Sequence, residues 1–119
     1  MNRRAQGSAA EEVAMRYLEQ KGYKTLARNY TIRGGEIDLI MRAPQGTLVF
    51  VEVKARGNAR YGSGLDAVTP RKQALICRAA LRYLSENGGV DQPVRFDVVE
   101  LTGGEIRHLM EAFDYMEMD

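Results

Sequence analysis

Two carboxylates and a lysine lie where a hairpin would bring them together. Ala43-Pro44-Gln45-Gly46 fits a three-residue hairpin loop, with proline at the first corner of a type I turn and Gly46 in the left-handed position of the following bulge. That loop sets Ala43 against Thr47. The same register predicts Asp38 opposite Glu52, Ile40 opposite Phe50 and Glu36 opposite Lys54. Opposed residues of an antiparallel pair point to one side, with Cβ atoms roughly 4.5–5.5 Å apart. Side chains alternate along a strand, so Asp38, Glu52, Lys54 and Arg56 are expected to share a face. Two carboxylates at that spacing repel, and burying them uncompensated raises a pKa or calls for a cation. Lys54 brings one positive charge. A divalent metal answers more directly, and carboxylates with water suit magnesium or manganese. Spacing alone also permits a solvated polar stripe. Against that, Val49, Val51 and Val53 fill one face while Leu48 and Phe50 begin the other, as in a central strand.

The elements around this hairpin follow from periodicity and punctuation. A helix is expected from about Ala5 to Lys21, where Ala10, Val13, Ala14, Tyr17 and Leu18 recur at helical spacing and Gly22 stops it. Strands are expected over Tyr23–Tyr30, Glu36–Arg42 and Thr47–Arg56, with a turn at Arg33-Gly34-Gly35. A Gly-rich basic loop, 57–64, comes next. Thr69 as N-cap and Pro70 at the first helical position open a second helix, ended by Asn87-Gly88-Gly89. Leu75, Ile76, Ala79, Ala80, Tyr83 and Leu84 form its apolar stripe. Val94–Leu101 and Glu105–Met110 complete the order α-β-β-β-α-β-β, joined through Thr102-Gly103-Gly104. A helix between Arg56 and Val94 implies a crossover, hence an α/β fold with a mixed β-sheet flanked by helices. The expected organisation is one domain over residues 1–119.

Composition narrows the chemistry. With one cysteine, Cys77, and one histidine, His108, a thiolate or imidazole zinc site within the chain is excluded, so a metal must be held by oxygen. A single cysteine also fits a reducing compartment, and the basic start lacks the apolar stretch of a secretory signal, so a cytoplasmic protein is expected. The longest apolar run, Leu48–Val51, is far short of the roughly 20 residues of a membrane span. The net charge of +1 says little, but residues 1–60 hold eleven Lys or Arg against six Asp or Glu, and residues 61–119 hold six against ten. A basic face for an anionic polymer is one consequence of such asymmetry. Arg56, Arg60, Arg71 and Lys72 surround the 57–64 loop with Tyr61 among them, a set suited to phosphate contact and base stacking; solvated loop charge is the alternative. Arg71 and Lys72 sit unfavourably for the dipole at a helix N-terminus, which favours an anionic partner. Cys77 is expected in the core and His108 at the surface.

Gly35-Glu36-Ile37-Asp38 followed by Phe50-Val51-Glu52-Val53-Lys54-Ala55-Arg56 resembles the acid…Glu-x-Lys core of the restriction-endonuclease-like nucleases. More closely, the chain resembles the YraN-type bacterial family, related by fold to archaeal Holliday junction resolvases. Gly7-Ser8-Ala9-Ala10-Glu11, Ala14, Tyr17-Leu18, Gly22-Tyr23, Arg28-Asn29-Tyr30 and the Lys72 helix follow in that family's order. Ala10 departs from it, standing where a glycine is frequent. The resemblance implies a restriction-endonuclease-like fold, with catalytic residues Glu11, Asp38, Glu52 and Lys54. Glu11, Asp38 and Glu52 match metal ligands for Mg2+ or Mn2+, and Lys54 matches the lysine that positions the attacking water and stabilises charge on phosphorus. It implies phosphodiester hydrolysis in DNA, including branched or structured DNA, and, because such resolvases pair, a homodimer. The alternative is a nuclease-like fold used only to bind nucleic acid or protein.

Overall fold

In the computed structural model, residues 3–56 and 68–114 are described, with side chains from 9 to 55 and from 68 to 114. The elements are α1 (Arg3–Gln20), β1 (Lys24–Ile32), β2 (Gly35–Arg42), β3 (Leu48–Arg56), α2 (Pro70–Glu86), β4 (Val94–Thr102) and β5 (Glu105–Phe113). This is the α-β-β-β-α-β-β order expected from the sequence. The five strands lie in the sheet in chain order, β1-β2-β3-β4-β5. Only β3 and β4 run parallel, because α2 carries the chain back across the sheet between them.

Each helix covers one face. Ala14 and Leu18 of α1 pack on Leu39, Met41, Val49, Val51 and Val99. On the other side Ile76, Cys77, Ala79, Ala80 and Leu84 of α2 meet Ile40, Leu48, Phe50, Phe96 and Val98. β3 is thus buried on both faces, which accounts for its unbroken apolar start. Leu18 is fully buried, and its truncation to alanine would cost about 2–5 kcal/mol. Thr69 caps α2, its hydroxyl accepting from the Lys72 N–H at 3.2 Å, and Pro70 follows in the first turn.

The hairpin forms as its loop chemistry requires. Ala43 N–H donates to Thr47 O at 2.9 Å, Gly46 N–H to Ala43 O at 2.9 Å, and Gly46 takes φ +102°. Pairing runs Arg42↔Leu48, Met41↔Val49, Ile40↔Phe50 and Leu39↔Val51, and stops there. Beyond it β2 shifts: Ile37 joins the cluster under α2, whereas Leu39 joins the cluster under α1. The ladder between β2 and β3 ends before Asp38, and the two strands fork there.

β5 continues three residues past the expected Met110. Its register against β4 slips between Phe96↔Phe113 and Val98↔Leu109, with Glu111 at φ +50°. Alternation breaks at this bulge, so the sequence pattern ends early, yet Phe113 still stacks on Phe96 with centroids 5.1 Å apart.

Candidate functional site

Asp38 lies in the fork. Its Oδ2 accepts the Val53 N–H at 2.8 Å, so a side chain replaces the ladder bond that β2 no longer offers. From that position its carboxyl group is in hydrogen-bond contact with Glu52 of β3 and with Glu11 of α1. The three acids form a chain centred on Asp38, not a ring. Among the described residues no three His, Cys, Asp or Glu side chains gather round one point.

Glu52 is 3% exposed, and its environment is the most perturbed in the site. Burial, then contact with Asp38, pushes its carboxyl up to about 8, although Lys72 and Lys54 pull the other way. Lys54 Nζ and Lys72 Nζ each stand 3.4 Å from Glu52 Oε2, so two ammonium groups flank one carboxyl oxygen. Lys72 Nζ also donates to Glu36 Oε1 at 2.8 Å. Burial works against the charged form of Lys72, but Glu36 and Glu52 outweigh it and raise its pKa. Glu11 is raised too, first by burial and then by the Asp38 charge. The neighbouring Asn29 side chain and the Arg28 charge pull the other way, yet Glu11 Oε1 is buried without a hydrogen-bond partner among the described residues.

This donor set suits a hard cation. Every group is oxygen, two carboxyl groups press together where repulsion would be relieved by positive charge, and one buried carboxylate oxygen is unanswered by any described residue. Asp38 and Glu52 supply the pair of carboxylates that magnesium commonly takes; Glu11 reaches the site through Asp38.

Of the residues expected at a phosphate, Arg71 is exposed at the start of α2. Lys72 instead turns its ammonium into the acid cluster. Arg60 and Tyr61 lie outside the described residues, as does the Arg56 side chain. Glu36, expected opposite Lys54, meets Lys72 instead, because the β2–β3 ladder ends at Leu39↔Val51. Arg28 and Asn29 entered only through the resemblance, with no role assigned. Arg28 pairs with Glu12 at 2.9 Å and its charge also reaches Glu11. Asn29 adopts φ +50°, a conformation asparagine tolerates, and that tolerance was the available signal.

His108 corrects the expectation of a surface histidine. Its side chain is 5% exposed, with Nε2 2.6 Å from Asp97 Oδ2. Asp97, fully buried, also accepts from Arg95 through both oxygens at 2.9 Å and from Glu111 N–H at 3.1 Å. These bonds, with His108 foremost, outweigh burial and hold the Asp97 carboxyl below its ordinary value. Arg95 reaches on to the Tyr23 hydroxyl at 2.7 Å. The network ties β4, β5 and the connection between α1 and β1 together on the face away from α2. The bulge at Glu111 is what turns that N–H inward, and alternation carries no sign of it.

The chain matches a model of "Uncharacterised protein family UPF0102" over residues 10–101, a span holding the whole acid cluster and its lysines. It is 55% identical over 109 residues to a UPF0102 protein of Deinococcus radiodurans, covering 87% of this chain and 89% of the relative. A UPF0102 protein of Cupriavidus pinatubonensis is 47% identical over 110 residues, with 92% and 86% covered. One from Burkholderia mallei is 46% identical over 112 residues, with 94% and 77% covered. The family match spans most of the chain and the relatives align along nearly all of it, so the protein belongs to the UPF0102 family.

Proposed function

We propose that this protein is a metal-dependent nuclease of restriction-endonuclease-like fold that hydrolyses phosphodiester bonds in DNA, with branched or structured DNA as a substrate class. The observation that carries this is the Asp38–Glu52 carboxyl contact, buried in the fork of the sheet and flanked by Lys54 and Lys72. Asp38 and Glu52 would hold Mg2+ or Mn2+, with Glu11 steadying Asp38. A cation held there would supply Lewis-acid chemistry, easing removal of a proton from the attacking water and offsetting charge at phosphorus. Val53 N–H fixes the Asp38 carboxyl, so its orientation is preset before substrate arrives. Lys54, its side chain 27% exposed, keeps an ammonium open to solvent beside Glu52, where it can neutralise charge growing on a phosphoryl group. Water oxygen bonds to phosphorus, the bridging P–O bond breaks, and the departing oxygen takes up a proton.

Incubation of labelled linear and branched DNA with protein and manganese tests this. Cleavage is expected in the wild type, with a loss of at least about 100-fold in Glu52→Gln and in Lys54→Ala, the scale of removing one transition-state charge partner. Cleavage undiminished in Glu52→Gln, or none by the wild type on either DNA, would overturn it. One observation favours a second reading, a non-catalytic nucleic-acid-binding domain: Lys72 already brings a second positive charge to Glu52. DNA binding without cleavage would select it.

A further inference from the structure

Most described arginines are spoken for. Arg16 and Arg28 pair with Glu12, Arg82 with Glu86, Arg95 with Asp97 and Arg107 with Glu100. Arg33, Arg71 and Arg78 are exposed, and no ion pair to a described carboxylate involves them. They are also gathered. Gly35 lies so close to α2 that a Cβ there would stand 2.7 Å from Leu75 O and 2.9 Å from Ala79 N. That approach lays the β1–β2 turn against the helix, and Arg78 Nη1 reaches Gly34 O at 3.4 Å, next to Arg33. Arg71 and Arg78 are seven residues apart on one helical stripe, about 10 Å along the axis. At the Arg71 end the neighbouring residue, Lys72, bridges Glu36 and Glu52. The stripe ends at Arg82, which Glu86 neutralises.

We propose that Arg33, Arg71 and Arg78 form a phosphate-binding ridge that tracks a nucleic-acid backbone along α2 and delivers it to the Glu36–Glu52 end of the fork. This deepens the nuclease reading and rests on it for the choice of nucleic acid as partner. Three guanidinium groups without a described carboxylate partner suit phosphates, which they bind through paired N–H donors, and no salt bridge among the described residues need be broken to free them. Their spacing spans two to three phosphates of one strand at about 3.4 Å of axial rise each. Of the set expected from the sequence, Arg71 belongs to this ridge, Lys72 meets the acids, and Arg60 and the Arg56 side chain lie outside the described residues; Arg33 and Arg78 are the additions.

The test is fluorescence anisotropy on a labelled DNA duplex over a salt series, in EDTA, so that cleavage plays no part. Arg33→Gln/Arg71→Gln/Arg78→Gln is compared with wild type, and Arg82→Gln is the control on the same helix. The triple variant is expected to bind at least tenfold more weakly and to flatten the log–log salt slope by about 2–3 units, near 0.9 for each phosphate no longer neutralised. Arg82→Gln is expected to keep both. Wild-type binding whose affinity and slope survive the triple substitution overturns the ridge and leaves DNA binding elsewhere on the protein. Failure of the wild type to bind the duplex at low salt overturns the ridge and its nucleic-acid partner together. Equal loss of binding to poly-glutamate, with duplex binding unchanged, assigns the arginines to an acidic protein and overturns the proposal. A flattened slope in a protein that cleaves nothing upholds the ridge while the hydrolysis reading falls.

Discussion

Glu52 carries the largest electrostatic cost in the fork. Its carboxyl is raised from 4.5 to about 8, first by burial and then by Asp38. The folded state therefore holds a proton between pH 4.5 and 8 that the unfolded chain has released. Stability contributed by that proton is present at the acid end and lost as pH rises toward 8, by up to about 1.4 kcal/mol per pH unit. Two lysines within 3.4 Å reduce the cost without removing it. Urea unfolding of metal-free protein between pH 5 and 8 should show stability falling as pH rises, and Glu52→Gln should flatten that fall because glutamine cannot ionise. An unchanged slope in the variant would mean that another group supplies the proton. The pair itself was legible, since a turn of known type sets Asp38 and Glu52 on facing strands. Lys72 was not: it stands twenty residues after Glu52, across residues 57–67, and only the docking of α2 on β2 brings its ammonium to the acids.

At the scale of elements, one glycine holds the site's two halves in place. β2 carries Asp38 and Glu36, α2 carries Lys72, and the strand meets the helix at Gly35. A methyl group there would collide with Leu75 O and Ala79 N, both main-chain atoms that cannot turn aside. Gly35→Ala should push α2 off the sheet, cost about 1–3 kcal/mol as overpacked sites do, and loosen the Lys72–Glu36 contact of 2.8 Å. Thermal unfolding gives the first effect, and a changed Glu52 pH dependence the second. Equal stability and an unchanged pH profile would show that the helix can shift without disturbing the fork. Periodicity read the elements well because each obeys one period over several residues and is punctuated by Thr69-Pro70, Gly22 or Gly46. It failed where the period itself changes. β2 switches faces between Ile37 and Leu39, and β5 bulges at Glu111. Both irregularities serve carboxylates, half-buried Asp38 at one and buried Asp97 at the other, and both are tertiary in origin. His108 was misjudged for the same reason, since its partner lies on another strand.

Among the described residues, part of the contrast between a basic first half and an acidic second half is neutralised within the fold. Asp97 and Glu100 of the acidic half are buried with arginine or histidine partners, while Glu12 of the basic half joins Arg16 and Arg28. Among the described residues no helix is long and apolar enough to cross a membrane. The remaining imbalance is local: acids concentrated in the fork, and beside it arginines that no described carboxylate neutralises. A cation that binds only the folded state then stabilises the whole fold, by about 2.7 kcal/mol at one hundred times its dissociation constant. For a chain of 119 residues, each kcal/mol moves Tm by about 3–5 °C. Millimolar manganese should raise the wild-type Tm, more at pH 8 than at pH 6 because a proton on Glu52 competes with it, and should do less for Glu52→Gln. Asp38→Asn separates the roles of this carboxyl. Asparagine keeps an oxygen for the Val53 N–H and offers an N–H to a neighbouring carboxyl, so without metal the variant should match or exceed wild-type stability. With manganese it should gain little. If Asp38→Asn instead melts well below wild type and manganese moves neither protein, Asp38 serves the fork as a structural acceptor. The fold would then be held by its own lysines, and the binding-domain reading would replace the nuclease.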